Sequence, residues 1–126
     1  MPATEIRLFR AGNGKVPMLD WLGELEESEQ RAYEKCLFLI NLLMTKGSEL
    51  PAPFSKYLRD GIRELRGKVG TVNYRILYFF NGKNVVCLSH GFTKEKEVPD
   101  AEIELAVTRM SYVTADAVKY TADFEV

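Results

Sequence analysis

Cationic side chains that could stabilise a phosphate transition state recur between residues 61 and 96. Four residues of this stretch are the catalytic candidates: Arg66, Arg75, His90 and Lys94. Cleavage of RNA by its own 2′-hydroxyl needs a proton acceptor, positive charge for the phosphorane-like transition state, and a proton donor for the leaving oxygen. Arginine and lysine supply the charge, and histidine can move a proton near neutral pH. These residue types therefore fit phosphate chemistry without a metal ion, with tyrosine as the other acid or base available.

The cationic stretch stands out because the chain as a whole carries a net charge of −1. The net charges of residues 1–53, 54–96 and 97–126 are −2, +6 and −5. A local cationic excess on a sheet is the electrostatic pattern of a surface that binds phosphate. We therefore expect RNA contacts from four further cations: Lys56, Arg63, Lys68 and Lys96.

Each of these residues also has an ordinary structural explanation. Arg66 could form an ion pair with Glu64, which shares its face of a strand. Arg75 lies in a mostly apolar strand, where exposure to water or pairing with Glu64 would each relieve its desolvation cost. A lone histidine such as His90 is more often a hydrogen-bonded structural residue. The remaining positions are compatible with a solvated surface: Lys56, Tyr57, Arg59, Lys94 and Lys96.

Length and composition predict one globular domain. The chain has 126 residues, of which 46% are apolar, and no window approaches the ~18 apolar residues that span a bilayer. The amino terminus has no apolar core of a secretory signal, so we expect a cytoplasmic protein. Cys36 and Cys87 are isolated, with no CxxC motif, and the chain has one histidine. We accordingly predict buried reduced thiols, no bound metal and no cofactor.

Hydrophobic periodicity predicts an α+β fold in the order β-α-α-β-β-β-α. Strands are expected over residues 4–9, 62–68, 72–80 and 84–92, with a loop over 48–56. Pro17 suits the first turn of a helix, Ser28 is a candidate N-cap for the next helix, and Gly47 is placed to end that second helix. A third helix is expected from near Pro99, with acidic residues in its first turn.

Two short segments carry more local predictions. Asn81-Gly82 predicts a tight hairpin of type I′, because both central positions of that turn need positive φ. The tail over residues 114–126 has three alternatives: an extra strand, a partner-binding arm, or a frayed terminus, which is the commonest outcome.

Four motifs follow one another along the chain: Gly61-x-x-Glu64-Leu65-Arg66, Tyr74-Arg75-Ile76-Leu77-Tyr78, Leu88-x-His90-Gly91-Phe92-x-Lys94, and Pro99 with Glu102-Ile103-x-x-Ala106. Over residues 3–113 this combination resembles the phage-derived Gp49-like, HigB-type branch of the RelE/ParE toxin superfamily. The resemblance implies a small curved antiparallel sheet packed with an N-terminal α-hairpin and a C-terminal helix. It also implies a toxin of a type II toxin–antitoxin module, and many such toxins cut mRNA on the ribosome.

The expected partners are a cognate helix-turn-helix antitoxin, mRNA and the ribosome. The resemblance assigns positive charge to Arg66, Arg75 and Lys94, and proton transfer to His90. The chain departs from the family pattern at three positions. Glu64 stands where RelE has an additional lysine, Glu95 where Gp49-like relatives have a second lysine, and Asp100 near a tyrosine of RelE.

Three functions compete on these grounds. The first is a ribosome-dependent mRNA endoribonuclease. The second is a ParE-like inhibitor of DNA gyrase, which shares the fold but needs no general acid or base. The third is a phage-derived protein that binds an antitoxin or host factor but has lost toxicity, which the glutamate at position 95, the overall acidity and the extra tail suggest.

Overall fold

The chain forms an α+β fold on one six-stranded sheet. The computed structural model describes residues 3–94 and 96–124. In chain order the elements are β1 (Glu5–Phe9), α1 (Pro17–Ser28), α2 (Gln30–Lys46), a 3₁₀ turn (Gly47–Glu49), β2 (Ser55–Arg59), β3 (Ile62–Val69), β4 (Val72–Phe80), β5 (Val85–Thr93), α3 (Asp100–Ala115), α4 (Ala117–Tyr120) and β6 (Thr121–Asp123). The predicted fold class is confirmed, and the predicted element order broadly matches.

The sheet is mixed and open, with the strand order β2-β3-β4-β5-β1-β6. β1 runs parallel to β5, with Ile6 opposite Val86, whereas every other neighbouring pair is antiparallel. The resemblance implies a wholly antiparallel sheet, and this prediction is wrong for the β1–β5 pair. After β1 the chain passes through α1 and α2 and joins the sheet again at its far edge, as β2. β1 therefore lies beside β5 rather than beside β2, and the two strands run in the same direction.

Helices cover both faces of the sheet and bury two apolar cores. α1 and α2 pack on one face, where Ile40 contacts the cluster that contains Leu65 and Ile76. α3 packs on the other face, where Ile103 joins the cluster that contains Leu77. Each core removes a continuous apolar surface from water, which is the main stabilising contribution in a domain of this size.

The helix ends and the β4–β5 turn match the local predictions only in part. Ser28 does not cap α2, because α1 extends through it and its hydroxyl donates to the Glu24 carbonyl. Gly47 ends α2 with a positive φ of 56°, as predicted. The β4–β5 hairpin is confirmed, but its type I′ turn is wrong. Residues 81–84 separate the two strands, and only Gly82 of the predicted turn pair has positive φ.

Two strands were not among those predicted along the chain. β2 begins at Ser55, inside the predicted loop, and pairs with β3 as a short edge strand. In the tail, α4 and β6 follow α3, and β6 pairs antiparallel with β1, Phe9 lying opposite Thr121. Of the three alternatives for the tail, the extra strand is therefore correct for the residues up to 124. No helix in the described part of the chain is long and apolar enough to cross a membrane.

Candidate functional site

A cleft of about 430 Å³ opens on the face of the sheet that α3 covers. It is bounded by β2, β3, the segment after β5 and the start of α3. We call it the basic cleft, and its lining residues are Lys56, Tyr57, Leu58, Arg59, Glu64, Arg66, Arg75, Lys96, Glu97, Val98 and Ile103. Five of these side chains are cationic and two are acidic, so the lining carries an excess of positive charge.

The strand register explains why these residues meet. Alternation along β3 directs Glu64 and Arg66 to the same face as Ile62, which packs in the α3 core. Lys56 on β2 lies opposite Glu64, and Arg75 on β4 lies opposite Arg66. Four charged residues from three adjacent strands therefore project into one cleft.

Glu64 and Arg75 form a buried ion pair at the floor of the cleft. Arg75 Nη1 donates to Glu64 Oε2 at 2.7 Å, and the side chains are 5% and 1% exposed. The other guanidinium nitrogens donate to main-chain carbonyls, Nε to Lys94 at 3.1 Å and Nη2 to Lys96 at 2.7 Å. Arg75 therefore links β3 to the segment that carries both lysines, and its side chain is not exposed to solvent.

Three other cations of the cleft are placed differently. Within the described residues, no carboxylate lies within 4.0 Å of Lys56, Arg66 or Lys96. The ion pair between Arg66 and Glu64 considered from the sequence does not form, because Arg75 takes Glu64 instead. The positive charge of these three residues is therefore not neutralised by any carboxylate among the described residues.

Arg59 joins β2 to the start of α3. Its guanidinium bonds to Asp100 at 2.6 Å, to Glu104 at 2.8 Å and to Asp60 at 2.5 Å. These hydrogen bonds raise the pKa of Arg59, that to Asp100 having the largest effect. Arg59 thus fixes the α3 wall of the cleft, whereas its sequence context predicted a surface residue.

Tyr57 and Glu97 are two further lining residues that were not selected from the sequence. The Tyr57 hydroxyl accepts a hydrogen bond from the Gly61 amide at 3.0 Å, which leaves its proton available for donation. Glu97 is exposed, and no described cation lies within 4.0 Å of its carboxylate. The available signal was their position beside cations, since Tyr57 directly follows Lys56 and Glu97 directly follows Lys96.

His90 lies outside the basic cleft, beneath α3. Its Nδ1 bonds with the Ser89 hydroxyl at 2.8 Å and its Nε2 with the Glu102 carboxylate at 3.1 Å. The ring also stacks on Phe92, with the centroids 5.6 Å apart. His90 is thus a hydrogen-bonded residue between the sheet and α3, and it does not line the cleft. Its role in proton transfer stays a prediction.

The remaining sequence candidates are dispersed. Lys94 is exposed and lines a neighbouring depression of about 400 Å³ together with Lys96. Arg63 does not line the cleft, and its guanidinium lies 5.3 Å from the Tyr57 ring centroid. Lys68 lies farther along β3, at the end away from α3. Glu95 lies outside the described residues.

The two cysteines are buried in different cores, Cys36 under α2 and Cys87 under α3, and both are free thiols. Burial raises the pKa of each to about 12. The prediction that both are buried is confirmed. Across the described residues, no group of three or more histidine, cysteine or acidic side chains is arranged to hold a metal ion.

The family model described as Phage derived protein Gp49-like (DUF891) matches residues 20–111. This protein belongs to that family. The matched region contains the whole basic cleft and all four residues proposed from the sequence as catalytic, and it agrees with the resemblance to the Gp49-like branch of the RelE/ParE-type toxins. It ends before α4 and β6, so the strand added by the tail lies beyond the matched region. A comparison with curated proteins found no match.

In this Gp49-like protein His90 should make stability depend on pH. Burial, and next the charge of Arg109, lower the pKa of His90, while Glu102 opposes them. The unfolded chain then binds a proton more readily than the folded protein, because the free imidazole has a pKa of about 6.5. We expect the free energy of unfolding to fall as the pH drops below about 6.5.

A His90→Gln variant isolates this contribution, because the chain has one histidine. The measurement is urea unfolding of both proteins at a series of pH values from about 7.5 to 5. We expect wild type to lose more stability than the variant across this range. Parallel curves would show that the histidine is not held in its neutral form.

Proposed function

We propose that this Gp49-like protein is the toxin of a type II toxin–antitoxin module and acts as an endoribonuclease on mRNA, without a metal ion. The observation that carries the proposal is the basic cleft, where Lys56, Arg66 and Lys96 have no described carboxylate partner in a chain of net charge −1. The family is toxin-like in general, which supports the toxin part of the proposal. Its place of action would be the cytoplasm, on ribosomes, under control of a helix-turn-helix antitoxin.

The cleft residues divide into charge and proton-transfer roles. Arg66, Lys56 and Lys96 would bind the scissile phosphate and stabilise the charge that develops on it. The 2′-oxygen attacks phosphorus while the bond to the 5′-oxygen breaks. The Glu97 carboxylate would take the proton of the 2′-hydroxyl, and the Tyr57 hydroxyl would donate a proton to the 5′-oxygen. This assignment replaces His90 with residues that line the cleft.

Arg75 acts indirectly in this proposal. Its three hydrogen-bonding nitrogens are occupied by Glu64 and by the carbonyls of Lys94 and Lys96. Holding those carbonyls fixes the segment that presents the Lys96 side chain to the cleft. Arg75 is therefore a positioning residue, and Glu64 contributes by neutralising its buried charge.

Induced expression in a bacterial host tests the proposal. We expect incorporation of labelled amino acid to stop within minutes and mapped 5′ ends to reveal cut transcripts. Protein that has been treated with a chelator and then freed of it should cleave mRNA on ribosomes as well as untreated protein does. Intact transcripts together with normal translation would overturn the proposal, and blocked DNA supercoiling with intact mRNA would favour the gyrase inhibitor.

A binding protein without catalysis is the second candidate, and the Glu64–Arg75 pair is the observation that favours it. This pair removes one cation from the surface that could contact RNA. The variant with both Arg66→Ala and Lys96→Ala distinguishes the two candidates. An enzyme loses its effect on growth and transcripts with these substitutions, whereas a binding protein that does not use the cleft behaves like the parent.

A further inference from the structure

Two more grooves continue from the basic cleft along the outer edge of β3. The first has a volume of about 310 Å³ and shares Arg66 with the cleft. The second has a volume of about 390 Å³ and shares Lys35 and Lys68 with the first. The shared residues make the three depressions one path, which leads from the cleft to the first half of α2 and ends beside Arg31. We call the two added grooves the edge track.

The edge track exists because β2 is shorter than β3. Pairing between the two strands ends at Ser55 opposite Leu65, and the Arg66 amide then donates to the Phe54 carbonyl at 2.9 Å. β3 continues to Val69 without β2 beside it. This part of the β3 edge is therefore not covered by β2 and is open to a ligand.

Lys35 crosses from α2 to this edge through space that a glycine provides. A Cβ atom at Gly67 would lie 3.1 Å from Lys35 Cγ and Cε and 2.8 Å from Leu39 Cδ1. The missing side chain lets the Lys35 stem lie against the strand at Gly67, and Lys35 lines one groove together with Arg66 and Lys68. Its ammonium lies 5.5 Å from the ring centroid of Phe38, which is 49% exposed. A cation beside an exposed aromatic ring suits the phosphate and base of a single-stranded nucleic acid.

The charge of the track also favours a polyanion. Four cations line it, Arg31, Lys35, Arg66 and Lys68, against the single carboxylate of Glu34. None of the four has a described carboxylate within 4.0 Å. We propose that the edge track binds the backbone of single-stranded RNA that flanks the phosphate held in the basic cleft. This inference rests on the proposed function, since it extends the same bound strand.

Binding of short and long RNA separates the track from the cleft. The probes are 2′-O-methyl RNA strands of about 4 and about 12 nucleotides, which cannot be cleaved and which fill the cleft alone or the cleft and the track. The variant is Arg31→Gln with Lys35→Met, which keeps the lysine stem against Gly67. We expect it to bind the short strand like wild type and the long strand more weakly.

The salt dependence gives the expected size of the effect. Two lost phosphate contacts reduce the slope of log affinity against log salt by about 1.4 for a single strand. When the salt is raised from about 50 to about 200 mM, binding of the long strand should weaken about 7-fold less in the variant than in wild type. Binding of the short strand should weaken equally in both proteins. The matched control, Lys15→Gln with Lys83→Met, removes two exposed cations that lie away from the track. It should bind both strands like wild type.

The outcomes separate the two proposals. Wild type that binds the long strand no better than the short one, or a variant that loses affinity equally for both lengths, overturns the edge track and leaves the proposed function standing. A variant that instead fails to bind an acidic antitoxin segment, with RNA binding unchanged, assigns the edge to a protein and also overturns it. Length-dependent binding without cleavage of natural RNA supports the track while the endoribonuclease proposal fails.

Discussion

Glu64→Gln is expected to lower the free energy of unfolding by about 3–5 kcal/mol. The substitution keeps the shape of the side chain but removes the negative partner of Arg75, whose guanidinium is 5% exposed. The loss is large because an unpaired charge in the interior loses its hydration without compensation. Urea unfolding at neutral pH, followed by circular dichroism, measures the difference between the two proteins.

Glu26→Gln is the matched control for this prediction. Glu26 is exposed on α1 and forms none of the ion pairs found among the described residues, so the same chemical change should alter stability by less than about 0.5 kcal/mol. A loss below about 1 kcal/mol for Glu64→Gln would place the Glu64–Arg75 pair among ordinary surface ion pairs. The floor of the cleft would then not depend on it.

Arg66→Ala is expected to reduce RNA cleavage by about 100-fold, with little change in stability. Arg66 lines the basic cleft, and no described carboxylate lies within 4.0 Å of it. It can therefore bind phosphate without first breaking an ion pair. The measurement is the single-turnover rate of mRNA cleavage on ribosomes, with thermal unfolding recorded for the same preparations.

Lys83→Ala is the control for the arginine substitution. Lys83 is an exposed cation in the segment between β4 and β5, and it does not line the basic cleft. We expect activity close to wild type. Equal losses in the two variants would indicate a general effect of charge on RNA binding rather than a site. Full activity of Arg66→Ala would place the scissile phosphate outside the basic cleft.

Much of the fold follows from sequence patterns whose signal is local. β4 occupies the predicted residues Val72–Phe80, and α3 begins directly after Pro99, as expected. Alternation and helix periodicity record which side of an element is buried, and this information is repeated at several positions. β2 was missed because it is short and lies next to two prolines, and its pairing with β3 gives it a stability that the local sequence does not reveal.

The two departures at Glu64 and Asp100 show what sequence comparison leaves open. Both acidic residues interrupt a basic or aromatic pattern, and from the sequence both could weaken a site that binds phosphate. In the structure Arg75 binds Glu64 and Arg59 binds Asp100. Their charges are therefore compensated within the protein, which leaves Arg66 and the two cleft lysines for a ligand.

The sequence by itself determined the fold class, the family and the stretch of chain that carries the cationic residues. Only the tertiary structure decided which of these residues share a site. The bulge at Ser89 illustrates the reason, because Leu77 lies opposite His90 while Tyr78 lies opposite Leu88. One additional residue in β5 turns His90 toward α3 and away from the face expected from simple alternation with Leu88. Partner choice and strand register depend on contacts between distant segments, and a pattern read along one segment does not contain them.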